Sequence, residues 1–120
     1  MTLTTLIQQV CEEKPNSFKP EKLTSFVNEI EAQINDELGM EEFEPYDFAK
    51  DGAVELLAPA PYDRLYKSYL KAQIDYANEE IELYSNNIAQ HNQDYSDYLD
   101  YIVREDKAIN TVPVRFKNIF

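Results

Sequence analysis

Carboxylates are the side chains of this 120-residue sequence most numerous among those able to do chemistry. Glu79, Glu80 and Glu82 are expected on one helix, and Asp94, Asp97 and Asp100 recur on the next at three-residue steps that share a face. Glycoside cleavage or capture of a divalent cation needs such groups to converge across a pocket. A single helical ridge of acids reads instead as a solvated face, and no metal site is assigned. His91 is the sole histidine, which rules out a histidine-paired zinc site; a Ser-His-Asp set would have to be assembled from Ser85 or Ser96 and a nearby acid. His91 reads as an exposed polar residue at a helix turn. The single cysteine, Cys11, reads as a half-buried helix residue, excludes an internal disulfide and a cysteine cluster, and fits a reducing compartment. Phosphate-cradling loops need clustered glycines, and the only two, Gly39 and Gly52, lie far apart. The expectation is a protein without catalytic activity, cofactor or metal.

Charge points toward protein partners. Eleven basic residues face 23 acidic ones, a net of −12, which disfavours attraction to nucleic-acid phosphates or anionic lipid. The imbalance is uneven: residues 1–103 hold 7 basic and 21 acidic side chains, residues 104–120 hold 4 and 2. The C-terminal stretch is therefore complementary in charge to the rest. Eight of nine tyrosines fall between positions 62 and 101. Their spacing prevents all from pointing inward, and a tyrosine buries a large ring while keeping a polar tip, as interfaces favour. The candidate contact residues are Tyr62, Tyr66, Tyr69, Tyr76, Tyr95, Tyr98 and Tyr101, joined by Arg115, Phe116, Ile119 and Phe120 of the C-terminal arm.

The elements that must position these groups follow from periodicity. Leu3, Leu6, Ile7, Val10 and Cys11 repeat at helical spacing behind a threonine N-cap and stop at Pro15. Pro20 opens a second helix through Leu23, Phe26, Val27, Ile30, Ile34 and Leu38, closed by Gly39. Residues 40–61 form a long structured loop with a turn at Lys50-Asp51-Gly52, a short extended piece at Val54–Leu57 and a proline-bounded end. An apolar stripe then runs through Tyr62, Tyr66, Leu70, Ile74, Ala77, Ile81, Tyr84 and Ile88, and resumes at Tyr95, Tyr98 or Leu99, and Ile102. One helix over 62–103 would be about 60 Å long, so a break near Ser85-Asn86-Asn87 and an antiparallel pair are expected. Thr111–Phe116 alternates around Pro113 and suits an extended arm. The fold class is all-α: a small bundle of about four helices with a long C-terminal helical hairpin, an irregular loop over 40–61 and an extended C-terminal tail. The expected domain spans 1–104 and the arm 105–120. The start has neither a basic region nor an apolar run long enough for a signal peptide, and no stretch is apolar enough to cross a membrane, so a protein that is not exported is expected.

The run Pro61-Tyr62-Asp63-Arg64-Leu65-Tyr66-Lys67-Ser68-Tyr69-Leu70-Lys71-Ala72-Gln73-Ile74-Asp75-Tyr76-Ala77-Asn78-Glu79-Glu80 resembles head-tail connector proteins of tailed phages and prophages of Gram-positive bacteria. Tyr84, Asn86, Asn87, Asn92, Tyr95 and Tyr98 are similar to that family's second-half pattern, and Leu56–Ala60 to its lead-in. Gln73, Ala77 and the pair Tyr101-Ile102 depart from it. The resemblance implies a helical adaptor that joins about a dozen copies of itself in a closed ring. That ring would sit on the phage portal protein and give the stopper or tail completion protein a docking surface. It also implies assembly in the host bacterial cytoplasm and a final place at the virion's head-tail junction, with no catalysis, no nucleic-acid specificity and no membrane. Composition alone leaves a second reading, an acidic DNA mimic that occupies a basic nucleic-acid-binding partner.

Overall fold

The computed structural model describes residues 1–105, and the arm with its Arg115, Phe116, Ile119 and Phe120 lies outside them. The described chain is all-α: α1 (Leu3–Glu13), α2 (Pro20–Glu37), a one-turn α3 (Phe48–Asp51), α4 (Arg64–Ala77) and α5 (Ile81–Glu105). Among the described residues no helix is long and apolar enough to cross a membrane. α4 is the central element. One side of it packs on α1 and α2, and the other lies along α5, by far the most extensive helix pairing.

α1, α2 and α4 bury the faces their periodicity predicts, and α5 buries only the later part of its stripe. Leu3, Leu6, Ile7 and Val10 of α1 meet Leu23, Phe26, Val27, Ile30 and Ile34 of α2, with Leu65, Tyr66, Leu70 and Ile74 of α4 between them and Tyr95, Tyr98 and Ile102 of α5 closing the core. Thr2 caps α1 by accepting the Thr5 N–H at 3.2 Å. Pro20 stands at the first position of α2, where its missing N–H has no helical partner to lose. Gly39 takes φ 70° and closes α2 with paired bonds, its own N–H to the Asp36 carbonyl and that of Met40 to Asn35.

The extended piece within the loop has a specific role. It runs antiparallel to the N-terminal residues, with a single bridge between Thr2 and Glu55. The Leu3 N–H donates to the Val54 carbonyl at 3.1 Å and the Thr4 N–H to Gly52 at 2.9 Å, so the loop satisfies first-turn donors of α1 that the helix itself leaves unbonded. Gly52 is required by space: a Cβ there would stand 2.5 Å from the Thr4 hydroxyl.

The hairpin breaks in a different place from the one expected. The helix runs without interruption through Ser85-Asn86-Asn87, and the turn falls at 78–80, so Glu79 and Glu80 sit in the turn instead of sharing a helix with Glu82. The Asn87 amide donates to buried Asp75 at 2.6 Å, a bond that holds it within α5 despite its turn propensity. Glu79 adopts φ 59°, a left-handed conformation usually left to glycine. The Glu79 N–H then reaches the Tyr76 carbonyl and the Glu80 N–H reaches Asp75, the same paired cap that Gly39 makes on α2. The described chain measures 43 Å along its longest axis, which a single rod over 62–103 would overrun.

A glutamate in that conformation strains the backbone and puts a negative charge at the negative end of α4. Glu79→Gly is expected to stabilise the fold by about 0.5–1 kcal/mol and raise Tm by a few degrees. Glu79→Gln, which removes only the charge, should give a smaller gain in the same melt. A lower Tm for the glycine variant would show that the turn gains nothing from release of strain.

Candidate interaction surface

Polar groups inside the core decide how the surface is presented. Glu31 lies on the buried face of α2, between Val27 and Ile34, and is 0% exposed. The phenol of Tyr66 on α4 donates to its Oε1 at 2.5 Å, while the Tyr46 phenol and the Leu57 N–H of the loop donate to Oε2 at 2.7 and 2.9 Å. The Tyr66 oxygen in turn accepts the Ala58 N–H at 2.9 Å. One carboxylate thus ties α2, α4 and both halves of the loop together. Asn28 adds a second clasp, bonding both the N–H and the carbonyl of Tyr46. Burial pushes the Glu31 carboxyl above its ordinary range, against the opposing pull of its three donors, and burial together with that neighbouring carboxylate pushes the Tyr66 phenol up.

The hairpin is fastened by a second polar set. Asp94 on α5, expected on a solvated face, is buried. It accepts from the Ser68 hydroxyl at 2.9 Å and the Gln90 amide at 2.9 Å, and pairs with Arg64 at 3.3 Å. Arg64 also reaches Asp97 at 2.9 Å. Asp75 joins three helices, bonding Lys14 at 2.7 Å beyond the end of α1 and Asn87 of α5. His91 is only 6% exposed, which corrects the expectation of a surface residue. Its Nδ1 lies 3.0 Å from the Leu65 carbonyl and therefore carries the proton, and its ring packs between Tyr69 and Tyr95. Burial holds its pKa below the usual histidine value. These groups serve packing, because each bonds another element of the same chain.

A cleft of about 420 Å³ between α4 and α5 is lined by Arg64, Lys67, Lys71, Asn87 and the Asp94 and Asp97 carboxylates. Its cations are all engaged within the chain: Arg64 as above, Lys67 and Lys71 with Glu13 at 2.8 and 2.7 Å. Hydrogen bonds from those two lysines hold the Glu13 carboxyl down at about 2. Among the described residues, no group of three or more His, Cys, Asp or Glu side chains is arranged to hold a metal ion.

The tyrosines separate into three groups. Tyr66, Tyr95 and Tyr98 are buried in the core, which corrects their place among contact residues: aromatic rings at core-facing helical positions fill the space between α4 and α5. Tyr62, Tyr69 and Tyr101 are half-buried. Tyr62 stacks on Tyr101 at 4.5 Å between ring centroids, and its hydroxyl accepts from Arg104 at 3.1 Å. Beside this stack, Leu38, Leu57, Pro59, Tyr98 and Tyr101 line an open cleft of about 310 Å³. Among the described candidates, Tyr76 alone is largely exposed, at 62%.

Around Tyr76 lies the surface that periodicity did not isolate. The apolar stripe leaves the core after Ile74, and the residues flanking the turn carry it to the surface before it re-enters the core at Tyr95. Ile81 is 61% exposed and Leu83 43%, and Tyr84 meets the Tyr76 ring at 5.3 Å. The available signal was the turn itself, since apolar residues flanking a hairpin tip have no third helix to cover them. No protein-family model, no curated protein and no solved structure matches the chain.

Because burial outweighs its donors, Glu31 binds its proton more tightly in the fold than the ordinary value of 4.5. A raised pKa means a stabilising contribution that is complete below the ordinary value and lost as pH rises through the folded one. Glu31→Gln, which does not titrate, should therefore carry its largest penalty near pH 4 and a smaller one near pH 8, about the span of that shift. Glu31→Ala strands three donors and should cost about 3 kcal/mol or more throughout. Urea denaturation across that range measures both; a glutamine penalty that grows with pH would show that the donors, not burial, dominate.

Proposed function

We propose that this chain is a non-catalytic subunit of a phage or prophage head-tail connector. It assembles with copies of itself into a ring on the portal and presents a docking surface to the stopper or tail completion protein. The observation that carries this reading is the apolar patch at the hairpin tip, exposed Tyr76 and Ile81 with the half-buried Tyr84 ring packed on Tyr76, within the segment whose sequence resembles that family. Apolar side chains grouped on a charged surface mark a place where another protein sits. A ring further requires that each subunit offer two different, complementary patches. The acidic body suits a wall around DNA, since like charge keeps the duplex from adhering. Assembly in the host cytoplasm and residence at the head-tail junction belong to the same proposal.

A second reading, the acidic mimic of DNA, is favoured by one observation. Residues 1–105 hold 8 basic and 22 acidic side chains, and Lys14, Arg64, Lys67 and Lys71 are engaged in internal ion pairs, which leaves an outward field dominated by carboxylates. Salt separates the two. Apolar ring contacts tolerate ionic strength, whereas a decoy's grip on a basic partner weakens steeply with it.

Light scattering over a range of concentrations, alone and with the portal of the same genome, tests the proposal. The full chain is expected to form large closed assemblies or to bind the portal, and Tyr76→Ser/Ile81→Ser to weaken that association at least tenfold at unchanged Tm, because both side chains are exposed in the monomer. A chain that stays monomeric and indifferent to the portal at every concentration would defeat the connector reading.

A further inference from the structure

A second apolar surface lies far along α5 from the tip. Leu38 at the end of α2, Leu57 and Pro59 of the loop, and Tyr98 and Tyr101 of α5 wall the open cleft of about 310 Å³. Met40, which follows within the same turn as Leu38, is 43% exposed. We propose that residues 106–120 of the same chain fold back and seat their apolar side chains in this cleft.

Position, chemistry and charge all support that occupant. α5 ends at Glu105, four residues after the wall residue Tyr101 and seven after Tyr98, so the following chain emerges next to the cleft. Fifteen residues span up to about 50 Å when extended, far more than the two turns of helix they must retrace. The segment carries Ile109, Val112, Val114, Phe116, Ile119 and Phe120, spaced so that several share one side of an extended strand. It holds three basic residues, Lys107, Arg115 and Lys117, against one acidic, in contrast to the 8 and 22 of the rest. Glu41 and Glu42, both exposed, follow Leu38 directly after Gly39 and Met40 and offer carboxylates near the cleft wall. Tethering decides between this chain's own segment and that of a second copy: a short linker presents its end at an effective concentration on the order of millimolar, above that of any free copy in dilute solution. The proposal does not depend on the connector reading, since the docking is internal to one chain.

The test uses the full chain with Cys11→Ser and Ile119→Cys, the new thiol carrying a nitroxide spin label, and reads broadening of backbone amide signals. Cys11 is the sole native cysteine, so its replacement leaves one labelling site. Broadening of the Leu38 and Leu57 amides that persists on tenfold dilution, and that at least halves when Phe116→Ser and Phe120→Ser are added, is the expected result. The dispersion of the amide spectrum reports whether each variant keeps the native fold. Broadening that grows with concentration would assign the cleft to a second copy and overturn the proposal. So would Leu38 and Leu57 signals that are sharp throughout, or broadening that the two serines leave unchanged.

Discussion

The carboxylate of Glu31 is the interaction on which the arrangement of this protein turns. Moving an ion of that kind out of water costs several kcal/mol, and the cost is bearable only where donors replace the lost hydration. Here they come from three places that are distant in sequence: Tyr46 and Leu57 in the loop and Tyr66 in α4. The loop has little secondary structure of its own, so its path depends on those bonds and on the clasp of Asn28 around the Tyr46 peptide. Held in that path, it supplies the Val54 and Gly52 carbonyls that complete the first turn of α1. One buried carboxyl group thereby couples the order of the loop to the start of the first helix, and the Leu57 wall of the apolar cleft is held by the same bonds.

The α4–α5 hairpin follows a related logic with different residues. Asp75 and Asp94 are buried acids, each matched by a cation and by a neutral donor from another helix. Such pairings hold a register because a half-satisfied buried carboxylate is far worse than a fully satisfied one. The charge that the body presents to an approaching macromolecule is negative because acidic side chains outnumber basic ones, 22 to 8 over residues 1–105. Apolar groups at the hairpin tip, set in that acidic surroundings, combine a place to bind with a repulsion toward nucleic acid, which is the pairing of properties on which the proposed connector role rests.

Much of the bundle was legible in the sequence. Amphipathic spacing alone identified the buried faces of α1, α2 and α4, since a 3.6-residue repeat has few other ways to cover its apolar side. Pro20 and Gly39 marked the ends of α2 because each carries its backbone preference with it. The buried acids carried a weaker signal: Glu31 falls four residues after Val27 and three before Ile34, on the apolar stripe, and His91 lies one turn before Tyr95 in the same way. A charged residue on a core stripe asks for partners, but it does not say which.

Composition and periodicity by themselves determined the helices, the charge balance and the existence of a final hairpin, because each is set by short-range geometry or by simple counts. Tertiary structure decided the rest. The turn sits at Glu79 and not at Ser85–Asn87, since Asn87 finds Asp75 within the packed pair and a glutamate accepts a left-handed conformation when the surrounding bonds enforce it. Which tyrosines fill the core and which face solvent depends on where α1 and α2 stop covering α4. The partners of Glu31 lie 15, 26 and 35 residues away along the chain, a range over which local sequence carries no directional information and only folding brings donors to one acceptor.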